Sequence, residues 1–562
     1  MAVAEGLAEA SSTAATESGL QRRISWTGAF WIASGVPALV LFSIGSIGAK
    51  VGGPSWIVWI VSILFGFVQA FTYAEIAGLF PHKSGGASVY GAIAWVRYSK
   101  LFAPLSVWCN WLAWSPVLAL GTSLAAGNIL NTLFGADAPV NSWHITLAHL
   151  DFIKAGLELR ISAVFLVGAV IMLFAFAIQH RGIAGTARMQ VILGLAALTP
   201  LLIIGVVPLF TGGLHPHNLT QLHPLAMGPH GEVLAGQWNA AGVTVMAGGL
   251  FIAAWSTYGF ETAVCYTREF RDPKRDTVRA ILYSGLLCIF VFSIVPLSFE
   301  GVLGLGRLIS PAVADAHGAV VTPAAYSGIL APDINDGTGV AKAMAGMLHA
   351  GVFVEKIIVA MLVLAMLLAV ITAMAGSSRT LYQASRDGWL PRYLSHTNEN
   401  GAPVSAMWTD LSFNLLILLL SDSVFVLAIS NVCYILFNFL NLNAGWIHRR
   451  DRPNWERPFK APFLLLAAGV VLSFVNLALL GMGADTWGSG TLIVGLLVAA
   501  GILPVFLYRH YVTDQGVFPA SMTEDMHLGH EDGAAPRSGL LPFLTVLLGV
   551  AVVIISRLIA AY

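Results

Sequence analysis

Thirteen apolar stretches follow one another along the chain, and shorter polar segments separate them. Each stretch is long enough to cross the hydrocarbon core of a bilayer as a helix, which needs roughly 20 residues. The pattern therefore predicts an all-α polytopic membrane protein with a long, tilted third span. The predicted spans are 27–50, 55–80, 101–133, 161–179, 188–210, 242–266, 278–303, 350–376, 404–421, 423–447, 462–482, 489–509 and 540–560.

The first span contains Ser34-Gly35-Val36-Pro37, a sequence that an uninterrupted helix would not favour. Proline removes a backbone donor and disfavours helical geometry at the preceding residue, while glycine tolerates distortion. We therefore expect one half-helix up to Ala33 and a second that begins at Pro37. The freed backbone groups must be buried in protein or line a cavity, where amides suit an anion and carbonyls suit a cation. A zwitterion would satisfy both, and an ordinary kink filled by neighbouring helices is the alternative.

The sixth span is interrupted as well, by polar groups and a glycine in the sequence Trp255-Ser256-Thr257-Tyr258-Gly259. Close helix packing alone would also favour such residues. However, the two interruptions lie five spans apart, which is the spacing of two inverted five-helix repeats with a midplane site between discontinuous helices. The predicted organisation is a first repeat at 27–241, a second at 242–448, two further helices in 449–510, and a polar linker with a thirteenth span in 511–562.

Composition supports a membrane protein and excludes a large soluble domain. Of the 562 residues, 57% are hydrophobic and 10% charged, whereas charged residues are roughly 25% of soluble domains. All four cysteines, Cys109, Cys265, Cys288 and Cys433, fall in apolar spans and are expected to be small core residues. Residues 1–26 lack the basic start and apolar core of a signal peptide, so we expect a disordered tail.

The distribution of basic residues predicts the orientation. Placing the amino terminus in the cytoplasm puts about 22 of the 29 lysine and arginine residues on the inner side. The opposite orientation would place the same residues outside. The prediction is a multi-pass protein of the cell membrane, embedded in the lipid bilayer with a cytoplasmic amino terminus. The net charge of zero does not indicate a partner, and we expect no nucleic acid.

Three acidic residues at or near the inner halves of predicted spans are candidates for gating or coupling, because ionisable groups inside spans are often functional. Glu75 could instead be a structural partner of backbone amides or of an inner-loop arginine. Glu261 could ligate an ion or the substrate amine, or form a salt bridge with an inner-loop base. Glu269 is expected to pair with Arg268 in a clamp on the inner gate.

Four stretches of the chain carry a family resemblance. They are TYAEIAGLFPHKSGGASVYGA, YGFETAVCYTREFRDPKRDTVRAI, AGSSRTLYQASRDGWLPRYL and ERPFKAP, which follow spans 2, 6, 8 and 10 or overlap their ends. Together they resemble motifs of the amino acid–polyamine–organocation (APC) superfamily of permeases, and the matches run from Thr27 to Pro462. The resemblance implies the leucine-transporter-like fold, and coupled transport of amino acids or related amines by alternating access.

The resemblance also implies which residues face the substrate. The interrupted stretches of spans 1 and 6 contain no acidic or basic residue, and an unpaired buried charge is costly. A neutral amino acid therefore fits best. Amines, polyamines or other organic cations remain alternative substrates if Glu261 points inward. A transport-inactive sensor with the same fold is a further alternative. We expect no enzyme, cofactor or metal site, since no His-x-x-Glu-His or Gly-x-Ser-x-Gly pattern is present. The substrate-facing residues would be Ala33, Ser34, Gly35 and Val36 in span 1, and Trp255, Ser256, Thr257, Tyr258 and Gly259 in span 6, with an aromatic residue as a gate.

The coupling ion, H⁺ or Na⁺, is less clearly indicated. Proton-coupled members of the family often carry a lysine in span 5, but this span reads TARMQVILGLAALTPLLIIGVV and has none. Lysine-based proton coupling is therefore not expected. We expect exchange or uniport instead. In sodium-coupled relatives of the fold, hydroxyls of span 8 help to hold the ion, and Ser377, Ser378 and Thr372 supply oxygen atoms of the required type. The link in span 1 also departs from the family's usual Gly-Ser/Thr-Gly-Ile-Phe.

Overall fold

A computed structural model describes residues 22, 24–135, 138–181, 183–228, 231–314, 320–322, 324–527 and 537–561. The predicted disordered tail lies almost wholly outside the described residues, as does 528–536 in the predicted linker. A helix occupies the place of every predicted span, and the protein is an all-α polytopic membrane protein. The helices are α1 (Trp26–Val51), α2 (Ser55–Gly78), α3 (Phe102–Phe134), α4 (Ala163–Gln179), α5 (Ile183–Thr211), α6 (Ala240–Glu269), α7 (Pro273–Leu303), α8 (Val352–Arg386), α9 (Val404–Ile417), α10 (Ser423–Asp451), α11 (Phe463–Gly483), α12 (Thr491–Thr513) and α13 (Leu541–Ala561).

Eleven of these helices are long and apolar enough to cross a membrane. The other two are shorter than predicted, since α4 has 17 residues and α9 has 14. A β-hairpin ends directly before α4 at Ser162, and α9 gives way to turns at Leu418, so flanking structure uses residues that hydropathy had assigned to the spans.

Side-chain caps mark where several helices begin. Ser162 accepts a hydrogen bond from the Phe165 amide at 3.1 Å at the start of α4. Asn239 and Asp422 cap α6 and α10 in the same way. Such side chains satisfy amides that the first turn of a helix leaves without a partner.

The central helices enclose the two interrupted ones. α2 packs along α7, α8 packs against α5 and the second half of α3, and α10 packs against the first half of α3. α1 and α6 lie in contact with each other among these helices. α13 packs against α11 at the periphery, and most of its apolar side chains are exposed toward the space that lipid would occupy.

α3 is interrupted at Ser115–Pro116, a break that the hydropathy pattern did not predict. Its two halves are Phe102–Trp114 and Val117–Phe134. Pro116 has no amide proton, so the carbonyl of Leu112 loses its helical donor. The hydroxyl of Ser430 on α10 replaces that donor, at 3.1 Å from the Leu112 oxygen and 2.8 Å from that of Ala113.

The protein has two dissimilar faces. On the N-terminal face, where α1 starts, the short helix Ala87–Trp95 lies buried against α3 and α10 and does not correspond to a predicted span. The opposite face carries small two-stranded antiparallel sheets in its long loops. The strands are β1 (His144–His149) with β2 (Glu158–Ser162), β3 (Leu225–Met227) with β4 (Val233–Ala235), β5 (Leu308–Ser310) with β8 (Ala325–Tyr326), and β6 (Val313–Ala314) with β7 (Val320–Thr322).

Candidate substrate-binding site

The break predicted in α1 is present. The first half ends at Ala33, Ser34 and Gly35 form a turn, and Val36–Leu39 continue as a 3-10 helix before the second half starts at Val40. The second helical half therefore begins slightly later than predicted. The hydroxyl of Thr372 on α8 donates to the Ile32 carbonyl at 2.6 Å. A protein side chain therefore occupies the carbonyl that was expected to suit a cation.

Gly35 lies at a close approach of α1 and α8. A Cβ on this residue would lie 2.5 Å from Oγ1 of Thr372 and 2.7 Å from the Leu368 carbonyl oxygen. Neither distance is compatible with a side chain unless a helix moves. On the other side of the break, α5 presents Gly194, where a Cβ would lie 2.7 Å from the hydroxyl oxygen of Ser34. A larger residue at position 194 of α5 would therefore collide with the break.

The break predicted in α6 is also present. A regular helix runs from Ala240 to Thr257, and from Gly259 to Glu269 the chain forms a 3-10 helix of 11 residues. Runs of 3-10 helix beyond three or four residues are uncommon, and inside a longer helix they often mark a hinge. The change of winding begins at Tyr258, within the predicted Trp255–Gly259 interruption.

The two breaks touch each other in the interior of the protein. The hydroxyl of Ser256 donates to the Leu39 carbonyl at 3.2 Å. A Cβ on Gly259 would lie 3.1 Å from side-chain carbons of both Val36 and Leu39, and 3.2 Å from the Trp114 ring. The space beside Gly259 is therefore filled with side chains rather than open. All nine predicted substrate-facing residues are buried, so the structure is closed at this site.

Aromatic rings surround the contact between the breaks. The Trp255 indole lies 5.9 Å from the Phe42 ring and 6.1 Å from the Trp114 ring, measured between centroids. Tyr434 lies 5.2 Å from Trp114 and 5.8 Å from Tyr258. Sequence reasoning identified Trp255 and Tyr258 but not Phe42, Trp114 or Tyr434. Aromatic residues are common in spans, so only the fold distinguishes these three.

The predicted aromatic residues of α6 are held by hydrogen bonds to other helices. Nε1 of Trp255 donates to the Ala113 carbonyl and to the Ser430 hydroxyl, each at 2.9 Å. The Tyr258 hydroxyl donates to Oδ1 of Asn476 at 3.1 Å. Thr257 shares a 2.7 Å hydrogen bond with Ser62 on α2. The break in α6 is thereby connected to α2, α3, α10 and α11, and movement of α6 would break these bonds.

Glu261 lies within the 3-10 segment and is 1% exposed. One carboxyl oxygen accepts a hydrogen bond from the Trp114 indole at 3.0 Å. The other has no hydrogen-bond partner within the described part of the chain. No described basic side chain pairs with Glu261, so the predicted alternative of a salt bridge to an inner-loop base is wrong. An incompletely satisfied carboxyl at membrane depth is a functional candidate.

Glu269 forms a buried ion pair with Arg379 of α8, and both side chains are at most 4% exposed. The guanidinium donates from two nitrogen atoms to the two carboxyl oxygens. The predicted pairing with Arg268 is therefore wrong, because the adjacent residue points into a cavity on the N-terminal face. Next to this ion pair, the Ile24 amide donates to the Glu269 carbonyl at 3.1 Å. These contacts join the segment before α1 to α6 and α8 at the N-terminal face, and we call this cluster the gate.

Glu75 is held by two arginines and a backbone amide. Arg449 donates to both of its carboxyl oxygens, at 2.8 and 2.5 Å. Arg457 lies 3.3 Å away, and the Ala461 amide donates at 2.8 Å. This arrangement joins α2, α10 and the segment before α11, and it corresponds to the structural alternative stated for Glu75.

The hydroxyls expected to hold sodium point to different places. Ser377 donates to Oδ2 of Asp410 on α9 at 2.5 Å, and Ser378 donates to the Met374 carbonyl of its own helix at 2.6 Å. Thr372 bonds to α1, as described above. Asp410 also accepts from Trp111 and from Ser115 beside the α3 break. These three hydroxyls therefore do not form one ligand set, and the buried carboxyl of Asp410 was missed because its partners are far away in sequence.

Comparison with known proteins finds a matching family model and similar sequences. A family model described as "Amino acid permease" matches residues 24–502. Two similar proteins are the branched-chain amino acid permeases BcaP of Lactococcus lactis subsp. cremoris (strain MG1363) and Bacillus subtilis (strain 168). The first is 23% identical over 493 residues, which cover 85% of this chain and 93% of the relative. The second is 23% identical over 480 residues, which cover 84% of this chain and 90% of the relative.

Proposed function

The chain belongs to the amino acid permease family, whose members transport amino acids across membranes, and we propose that it carries a neutral amino acid by alternating access. The observation that carries this proposal is the contact between the breaks of α1 and α6. Both helices change winding deep in the protein, and Ser256 of one bonds to the Leu39 carbonyl of the other. Discontinuous helices that meet at such depth form the substrate sites of many secondary transporters.

A neutral, apolar side chain suits the surroundings of the breaks best. Val36, Leu39 and Phe42 on α1 face Trp255 and Trp114, and all five are buried. A charged substrate side chain would need a partner there to offset its loss of hydration. Both relatives are named branched-chain amino acid permeases, and a branched aliphatic side chain has the size and polarity to replace these contacts. Leucine, isoleucine and valine are therefore the first substrates to test.

Binding would have to separate the two breaks. Backbone amides at the start of the second half of α1 would receive the substrate carboxylate, and carbonyls near Ala33 would receive its ammonium group. The substrate-facing residues proposed are those of the two breaks, from Ala33 to Val36 and from Trp255 to Gly259. With the gate closed, the opposite face would be the one that opens first from this state.

The architecture proposed for this mechanism is the leucine-transporter-like one. Residues 27–241 and 242–448 would form the inverted repeats, because each range starts with an interrupted helix. The N-terminal face would be cytoplasmic, since it carries most of the basic residues. Transport would be by exchange or uniport, because the sequence of α5 contains no lysine.

Glu261 favours a second candidate, an amine or other organic cation. Its unpartnered carboxyl oxygen lies two residues beyond Gly259 and would offset the positive charge of a substrate amine. The two candidates predict different effects of Glu261→Gln on uptake. If the substrate is a neutral zwitterion that does not rely on this carboxyl, uptake should persist, whereas uptake of a cationic amine should fall at least tenfold.

Uptake by proteoliposomes containing the purified protein tests the proposal. Unlabelled amino acids and amines compete with radiolabelled leucine, in vesicles either empty or preloaded with leucine. We expect leucine, isoleucine and valine to compete most strongly and preloading to accelerate uptake if the protein exchanges. Competition by amines alone would support the second candidate. Leucine binding without flux would instead indicate a sensor, and strict accumulation driven by a proton gradient would contradict exchange or uniport.

A further inference from the structure

A chain of hydrogen bonds runs from the break in α6 through α11 and α10 to α2. The Tyr258 hydroxyl donates to Oδ1 of Asn476 at 3.1 Å, and Nδ2 of Asn476 donates to Oδ1 of Asn438 at 3.0 Å. Nδ2 of Asn438 then donates to Oε1 of Gln69 at 2.7 Å and to the Tyr73 hydroxyl at 2.6 Å. We call these five residues the ladder, and none of them is more than 2% exposed.

The ladder is costly for a structure inside a membrane. Amide side chains at this depth need hydrogen-bond partners that hydrocarbon cannot supply. Even so, Nε2 of Gln69 has no hydrogen-bond partner in the part of the chain that the structure describes. A buried network that is only partly satisfied contributes less to stability than an apolar core would. This cost favours a role for the ladder beyond holding helices together.

Tyr258 connects the ladder to the hinge of α6. The regular helix ends at Thr257, and the 3-10 segment begins at Gly259. The Tyr258 ring lies against α2, since a Cβ on Gly66 would be 2.5 Å from Cδ1 of the ring. The ladder therefore holds α6 to α2, α10 and α11 at the residue where its winding changes.

We propose that the ladder is a latch that holds the two breaks in contact, with Tyr258 and Asn476 as positioning residues whose mutual bond opens when the substrate site opens. This inference rests on the proposed alternating-access function. Substrate binding has to separate the breaks, and opening of the face opposite the gate would move the half-helix Ala240–Thr257 together with Tyr258. That movement breaks the bond from Tyr258 to Asn476.

A latch of this kind weakens substrate binding. The apparent affinity for a substrate falls with the fraction of molecules in the binding-competent state. One buried hydrogen bond that is present only in the closed state changes this equilibrium about two- to tenfold. Its removal should therefore lower the Tm and yet strengthen binding. A network that only held helices together would instead lower the Tm without opening the site.

Cysteine labelling tests the latch without any substrate. Val36→Cys places a thiol in the break of α1, where Val36 is 4% exposed, and all four native cysteines are buried. The rate at which a water-soluble maleimide modifies this thiol in the purified full-length protein reports how often the site opens. We expect Tyr258→Phe, which keeps the ring, to raise this rate about two- to tenfold.

Two further variants make the labelling result specific. Asn476→Leu removes the same bond from the side of α11, so it should also accelerate labelling of Val36→Cys. The double variant Tyr258→Phe/Asn476→Leu should be no faster than the faster single variant, because both substitutions remove one interaction. Tyr508→Phe is the matched control, since Tyr508 is 64% exposed on α12, and it should leave the rate unchanged.

Leucine binding by variants that keep Val36 separates a failure of the latch from a failure of the proposed function. We expect Tyr258→Phe to have a lower Tm and a lower Kd for leucine, by about the factor found in labelling. Faster labelling without leucine binding by any variant would support the latch and contradict leucine as the substrate. An unchanged labelling rate in Tyr258→Phe and Asn476→Leu, or an equal increase in Tyr508→Phe, overturns the latch even if the protein transports leucine.

Discussion

The hydroxyl of Thr372 donates to the carbonyl oxygen of Ile32 at 2.6 Å, directly before α1 loses its helical winding. This bond joins α8 to the break, and it replaces the helical donor that the turn at Ser34 and Gly35 removes. Gly35 allows it, because any side chain there would meet Thr372 first. The position and stability of the break thus depend on two residues that are far apart in the sequence.

Thr372→Val should reduce both stability and transport. The substitution keeps the shape of the side chain but leaves the Ile32 carbonyl without a donor in a buried position, which costs about 1–3 kcal/mol. We expect a lower Tm and slower leucine uptake, measured on the same preparation. Thr372→Ser keeps the hydroxyl and should retain most of both, and equal losses in the two variants would contradict the role given to this bond.

Gly35→Ala should abolish transport more completely than it reduces stability. The new Cβ would lie 2.5 Å from Oγ1 of Thr372 and would force α1 and α8 apart at the break. The matched control is Gly346→Ala, where a Cβ meets nothing within 4 Å. Uptake at the native rate by Gly35→Ala, with a Tm like that of the control, would show that the close approach is not needed.

Loss of one partner of the gate ion pair should be more harmful than loss of both. Arg379→Gln leaves the buried Glu269 carboxylate unpaired, and breaking a buried pair in this way costs about 3–5 kcal/mol. Glu269→Gln/Arg379→Gln removes both charges and should recover most of the Tm. Transport by the double variant should stay low, because the gate is weakened.

The exposed pair Lys274–Glu456 provides the control for these gate variants. Its side chains are 55% and 77% exposed, and surface pairs contribute about 0–1 kcal/mol. Lys274→Gln should therefore be close to the native protein in both assays. If the Tm losses of Glu269→Gln and Arg379→Gln simply add in the double variant, the two gate residues do not act as a pair.

Docking of the helix Ala520–His527 should weaken in acid. Asp525 of this helix bonds to His82 and to Lys83, which also bonds to Asp387. Burial alone would raise the pKa of Asp525 and lower that of Lys83, but these bonds reverse both shifts. The pKa of Asp525 is lowered in the folded protein, so its stabilising effect is present above its ordinary value of 3.8 and is lost as the pH falls through the lower folded value. The pKa of Lys83 is raised above 10.5, so its effect is lost only as the pH rises through that higher value. A fluorophore attached near the helix should report its release as the pH falls.

Asp525→Asn should release the same helix at neutral pH, because Lys83 then keeps only Asp387 as a charged partner. Glu524→Gln changes the neighbouring, exposed residue and serves as the control. Equal release of the helix in Asp525→Asn and Glu524→Gln would contradict the assignment.

Hydropathy and local chemistry predicted the elements, but not every discontinuity. The number and order of helices follow from apolar length, because any segment that spans a bilayer must satisfy its own backbone. The breaks at Gly35 and Tyr258 were predicted because glycine, proline and polar residues weaken a helix locally. Pro116 in α3 gave the same kind of signal and was overlooked, since it lies in an otherwise long and apolar span.

What the sequence by itself determined is therefore the class of protein, the course of its helices and two places where helical winding fails. Only the tertiary structure decided that Glu269 pairs with Arg379 instead of Arg268, that Thr372 bonds to Ile32 instead of helping to form an ion site, and that Tyr258 bonds to Asn476. The physical reason is the range of the interactions. Winding and membrane insertion depend on neighbours within a few residues, whereas a buried charge or hydroxyl bonds to whichever group packing brings within about 3 Å.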